Sequence, residues 1–152
     1  MRAVVFDRYG PPDVLRVEDV PTPTPGPDQV LVRIAATSIN LSDWECLCGS
    51  PLYARIGGLR APARRTLGSD IAGTVEAVGD DVTRFRTGDE VYGDNLLLKG
   101  GFAELAVAPE SALAHKPDEL TFNEASTIPQ AGAIALQGTA DVTAGQRVLI
   151  NG

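Results

Sequence analysis

Apolar and polar residues alternate along this chain in short runs that glycine and proline keep cutting. That is the pattern of many short strands joined by turns. One run covers residues 2–7 and another Val14 to Val20, with the turn Gly10-Pro11-Pro12-Asp13 between them. Residues 21–27 hold four prolines. Proline donates nothing to a ladder, so this stretch reads as an extended connector. Asp28 to Ile39 is a long strand candidate. Val30, Val32, Ile34 and Ala36 share one face, and Arg33 and Thr37 lie on the other. Further strands are expected over Ile71 to Val78, interrupted by Gly73, then over Glu90 to Gly93, Phe102 to Ala108, and Ala112 to Lys116.

Two segments depart from period two. Asn40 to Cys48 reads as a short helix. Ser42 suits its N-cap, Asp43 and Glu45 suit a first turn that favours anions, and Gly49 suits the position past its end. Residues 50–67 read as a long surface loop. Past residue 120, Thr121 and Glu124 have capping-box spacing. A helix should follow, broken at Pro129 and resuming to about Ala140. After a turn at residues 144–146, Arg147 to Ile150 is a continuous apolar run. A helix followed by such a run is how a parallel sheet begins.

Composition narrows the picture. Sixteen glycines and eleven prolines in 152 residues exclude a helical bundle. The net charge of −7 disfavours nucleic acid, which is held by clustered cations. No apolar run approaches the roughly 20 residues of a membrane span. The charged opening Met1-Arg2-Ala3-Val4-Val5-Phe6-Asp7 lacks a signal peptide's apolar core. Cys46 and Cys48 would strain as a disulfide, so a reducing, cytoplasmic setting is expected.

Residues 68–79 read Gly-Ser-Asp-Ile-Ala-Gly-Thr-Val-Glu-Ala-Val-Gly, followed by Val82, Phe85, Gly88-Asp89, Val91 and Gly93. With the opening strand, Ser-Ile-Asn-Leu-Ser-Asp-Trp at 38–44, Gly101-Phe102-Ala103-Glu104 and the closing residues 145–152, this ordered set resembles the medium-chain dehydrogenase/reductase superfamily in its zinc-free quinone oxidoreductase branch. The resemblance implies a mainly β fold: a GroES-like irregular β-barrel with short helices over residues 1–120. Residues 121–152 would supply a connecting helix and the first strand of a Rossmann nucleotide-binding domain. The glycine-rich turn that grips pyrophosphate after that strand does not occur in these residues. The expectation is therefore the N-terminal piece of a two-domain enzyme, inactive alone.

The resemblance also assigns roles. Where zinc-dependent relatives place a Cys, a His and a third ligand, this chain has Asn40, Ser69 and, nearby, Gln130. Neutral amides and hydroxyls are poor zinc ligands. The segment at 94–100 has no cysteines for a structural zinc lobe. No metal is expected. Cys46-Leu47-Cys48 and the sole histidine, His115, read as structural. Reduction would then proceed by hydride transfer from NADPH to a quinone or an activated alkene or carbonyl.

Asn40 is the first candidate for a donor to the nicotinamide carboxamide or the acceptor oxygen, though it could simply cap the helix. Ser42 and Asp43 are catalytic candidates with a capping alternative. Trp44 lines the substrate pocket or covers the barrel. Ser69 and Asp70 are expected at the cleft, with Asp70 orienting a polar neighbour or pairing with an arginine from 60–65. Gln130 is the second cofactor candidate. A homodimer is an open expectation. The alternatives are a zinc-binding alcohol dehydrogenase relative and a stand-alone GroES-like interaction module.

Overall fold

A computed structural model describes residues 1–56 and 58–151 of the chain. The strands are β1 (Arg2–Val5), β2 (Arg16–Asp19), β3 (Gln29–Thr37), β4 (Asp70–Val78), β5 (Glu90–Asp94), β6 (Leu105–Pro109) and β7 (Leu113–His115). The α-helices are α1 (Leu41–Cys48), α2 (Phe122–Ala125) and α3 (Pro129–Gly138). Short strands dominate, as the cut alternation predicts.

β1 and β2 form an antiparallel pair. The other five strands form one sheet in the order β6-β3-β4-β5-β7, and every pairing is antiparallel. Bridges from Ala3 to Ala103 and from Val5 to Thr66 tie the small sheet to the large structure. Val30, Val32, Ile71, Val75, Phe85, Val91, Ala108 and Leu113 form the main core cluster. Each fully buried Val or Ile contributes roughly 1.5–3 kcal/mol. A second cluster packs Leu47 of α1 against Phe6 and Leu67, which seats α1 beside the barrel.

The alternation along β3 does not run unbroken. Register shifts fall between Leu31 and Val32 and between Ile34 and Ala36. A bulge bends its strand and re-aims the residues after it. Beyond the second shift, the Thr37 hydroxyl donates to the Asp70 carbonyl at 2.6 Å. Gly73 sits opposite this irregularity, and a Cβ there would lie 2.0 Å from the Arg33 carbonyl oxygen. The strands approach too closely for any side chain.

Three expectations need correction. Asn40, not Ser42, holds the N-cap of α1, because the helix begins at Leu41. Asp70 does not pair with an arginine from 60–65. Arg65 instead contacts Asp7 and Glu18, whose carboxylates lie on the β1–β2 side of the chain. Residues 147–150 form no strand, and Leu149 is 91% exposed. A parallel strand needs a neighbour for its ladder, and none of the described residues pairs with this run.

Candidate functional site

The C-terminal end of β3, the start of α1, the start of β4, the end of β5 and the first turn of α3 meet at one place. Each brings a polar side chain. Asn40 caps α1 in extended backbone, and its backbone N–H donates to Asp43 Oδ2 at 3.1 Å. Gly49 closes the helix in the left-handed conformation, φ 63°. The helix is held at both ends, so its first turn is fixed.

Asp43 is buried and accepts from three donors. Besides Asn40, the Gly68 N–H donates to Oδ1 at 3.0 Å and the Lys99 ammonium to the same oxygen at 3.3 Å. Asp43 thereby fixes the two segments that carry Asn40 and Ser69. This is a buried ion pair with supporting hydrogen bonds, the arrangement that makes burial of charge tolerable.

Asn40 Nδ2 donates to Ser38 Oγ at 3.2 Å and to Ser69 Oγ at 3.4 Å. The Ser38 hydroxyl donates in turn to Asp70 Oδ2 at 3.0 Å. Ser69 and Asp70 are fully buried. Asp70 Oδ1 accepts the Gln130 backbone N–H at 3.1 Å. No side chain of Ile128 caps α3. Asp70 therefore supplies, from β4, the anion that a helix N-terminus favours. The Ser42 hydroxyl donates to Gln130 Oε1 at 3.1 Å. Asn40, Ser42, Asp43, Ser69, Asp70 and Gln130 thus belong to one connected cluster. The Trp44 indole makes no hydrogen bond among the described residues, and Trp44 is half-exposed.

Sequence reasoning missed four members: Ser38, Asp94, Asn95 and Lys99. Asp94 faces Asp70 across the β4–β5 ladder. Burial pushes its carboxyl above the ordinary aspartate range, and the Asp70 charge pushes the same way. Asn95 is buried, and its Nδ2 donates to the carbonyls of Lys99 and Val107 at 2.6 and 2.9 Å. Lys99 stands out in the sequence only as a charge directly after three leucines. The segment 94–100 invites a search for cysteines, and that question hides it.

The three positions that the resemblance gives to zinc ligands converge here. They carry amides and hydroxyls that hydrogen-bond one another or their neighbours, and this donor set does not suit zinc. Among the described residues no three His, Cys, Asp or Glu side chains come together as a metal site. Amides offer both donor and acceptor, which suits a carboxamide such as that of nicotinamide. Cys46 and Cys48 are free and half-buried. His115 lies elsewhere, with its ring 4.9 Å from that of Phe85. Among the described residues no helix is long and apolar enough to cross a membrane.

Residues 26–118 match the family model of the alcohol dehydrogenase GroES-like domain. The quinone oxidoreductase of Homo sapiens is 36% identical over 156 residues, which is 100% of this chain and 45% of that protein. The solved quinone oxidoreductase from Coxiella burnetii superposes with a TM-score of 0.82 at 33% identity, over 92% of this chain and 44% of that one. A mycobacterial protein solved with NADPH superposes with a TM-score of 0.79 at 30% identity, over 97% of this chain and 43% of that one. The chain spans less than half the length of these relatives.

Proposed function

The chain belongs to the alcohol dehydrogenase GroES-like domain family, and from that premise we propose that it is the catalytic-domain part of a zinc-independent NAD(P)H-dependent oxidoreductase. Its acceptor is a quinone or an activated alkene or carbonyl. Residues 1–120 serve as the catalytic domain, and residues 121–152 lead into the nucleotide-binding domain. NADPH, when bound, supplies the hydride.

The observation that carries this reading is the linked cluster of Asn40, Ser69, Asp70 and Gln130. Neutral amides and hydroxyls stand at the positions that zinc-dependent relatives use for metal ligands. Asn40 and Gln130 hold the nicotinamide carboxamide. Asn40 also turns an N–H to the oxygen on which negative charge develops, giving up for it the 3.4 Å contact with Ser69. Ser42 fixes the side-chain amide of Gln130, and Asp70 fixes its backbone. Asp43 sets the height of Asn40 through its backbone N–H. Trp44, beside them on α1, covers the acceptor.

The test is an assay of NADPH oxidation with a quinone on the product of the natural reading frame that contains these residues, with and without a chelator. Turnover should survive chelation, and purified protein should hold zinc well below one equivalent. Chelator-sensitive turnover with stoichiometric zinc overturns the reading. Residues 1–152 alone should show no saturable NADPH oxidation. Asn40→Ala should lower kcat roughly a hundredfold, the usual loss for a donor to a developing oxyanion.

A further inference from the structure

The sequence contains two lysines, Lys99 and Lys116. Both are buried, with side chains 8% and 6% exposed. An ammonium has three N–H donors and no acceptor. Lys116 has a partner for each: Pro117 O at 3.1 Å, Leu120 O at 2.7 Å and Glu90 Oε2 at 3.0 Å. Lys99 has one partner among the described residues, Asp43 Oδ1 at 3.3 Å. Two donors of a buried cation are left unmatched, which a folded chain rarely tolerates without use.

Lys99 also lines a cavity of about 590 Å³. That is the size of a small-molecule site. Tyr9, Tyr53, Leu67 and Leu96 give it an apolar and aromatic wall, and Ser42 of the polar cluster also lines it. Cys46, on the same wall, carries a thiol whose pKa burial raises and the Lys99 charge partly restores. The ammonium therefore acts on groups facing this cavity. A flat apolar body fits the wall, and an oxygen acceptor fits the spare donors.

We propose that Lys99 contacts the substrate, its ammonium receiving the carbonyl oxygen of a flat, apolar acceptor seated in this cavity. The inference rests on the oxidoreductase reading and names its acceptor class. As a hydride from NAD(P)H reaches the conjugated system of the acceptor, the carbonyl π pair moves onto oxygen. Lys99 shares that negative charge with the Asn40 N–H, through charge-assisted hydrogen bonds, and keeps its proton. Water then supplies the proton that completes the product. Asp43 keeps the ammonium in place, because its own oxygens are anchored to the backbone of Asn40 and of Gly68.

With only two lysines, isotope-labelled lysine gives two resolvable side-chain signals by NMR. The 152-residue chain is titrated with α-tetralone as a flat carbonyl compound, with tetralin as its hydrocarbon counterpart, and with naphthoate as a mimic of the charged oxygen. The Lys99 signal should move saturably with tetralone and naphthoate and stay with tetralin, while Lys116 stays throughout. The double variant Lys99→Met with Asp43→Asn removes both charges together and should weaken naphthoate about tenfold, the scale of one charge-assisted contact. A stationary Lys99 signal, or an equal response to tetralin, overturns the proposal. If the double variant does not fold, the wild-type titration still decides. Quinone turnover by the product of the natural reading frame beside a silent Lys99 would sink this inference alone, and a responsive Lys99 with no turnover by that product would sink only the oxidoreductase reading.

Discussion

Asp70 and Asp94 stand opposite each other at the end of the β4–β5 ladder, in unequal company. Asp70 accepts the Ser38 hydroxyl and the Gln130 N–H. Asp94 Oδ1 is buried with no partner among the described residues. Burial, together with the Asp70 charge, holds the Asp94 pKa up. The folded state thus binds the Asp94 proton more tightly than the unfolded state does. Its contribution to stability is complete below the ordinary aspartate range and is lost as pH rises through the raised value. Asp94→Asn should therefore melt higher than wild type at neutral pH and lose that advantage in acid, as calorimetry at both pH values would show. Lys99→Met leaves Asp43 buried without its cation and should cost about 3–5 kcal/mol in urea titrations. At this scale the sequence pointed to Asn40, Ser42, Asp43, Ser69, Asp70 and Gln130, which the fold links in one hydrogen-bonded cluster. It hid those whose meaning lies in a partner. Nothing local to Lys99 says that Asp43 faces it, and nothing local to Asp94 says that Asp70 lies across the ladder.

Among the elements, β3 and β4 show where a pattern holds and where it bends. Period two placed Val30 and Val32 in the core, where they are fully buried. It could not show the shift between Ile34 and Ala36, because a bulge answers to the partner strand and leaves no mark in the alternation. Gly73 did leave a mark, as a glycine inside a strand. Gly73→Ala drives a methyl into the Arg33 carbonyl and should destabilise by about 3 kcal/mol in equilibrium unfolding. The capping box of α2 was legible in full. The Glu124 N–H donates to Thr121 Oγ1, and the Thr121 N–H donates to Glu124 Oε2. α1 was legible as a helix but not in its first residue. Ser42 and Asn40 are both good caps, and tertiary contacts decided between them. The Asp43 carboxylate reaches back to the Asn40 N–H, and Ser42 turns instead toward Gln130.

Across the whole molecule, burial is unevenly distributed, and stability should follow it. The described core lies in β3, β4, β5 and the strands beside them, and it reaches as far as Ala125 at the end of α2 and Ser126 after it. α3 buries no residue, and the run at 147–150 has Val148 52%, Leu149 91% and Ile150 80% exposed. Amides in a region with few apolar contacts open at little free-energy cost, whereas core strands open only near the global limit. Hydrogen exchange should therefore divide the chain. The amides of Val32 and Val75, in paired strands of the core, should be the slow ones. Those of residues 141–150 should exchange almost as fast as in a free peptide, with α3 between the two groups. Asp70 modifies this gradient. It holds the Gln130 N–H from β4, so it couples the first turn of α3 to the barrel while the rest of the helix has no such anchor. Asp70→Asn should then speed exchange in α3 while leaving the amides of Val32 and Val75 slow. Equal protection of residues 141–150 and the core strands in dilute solution would show that these apolar side chains pack somewhere, and the division at Ser126 would be wrong.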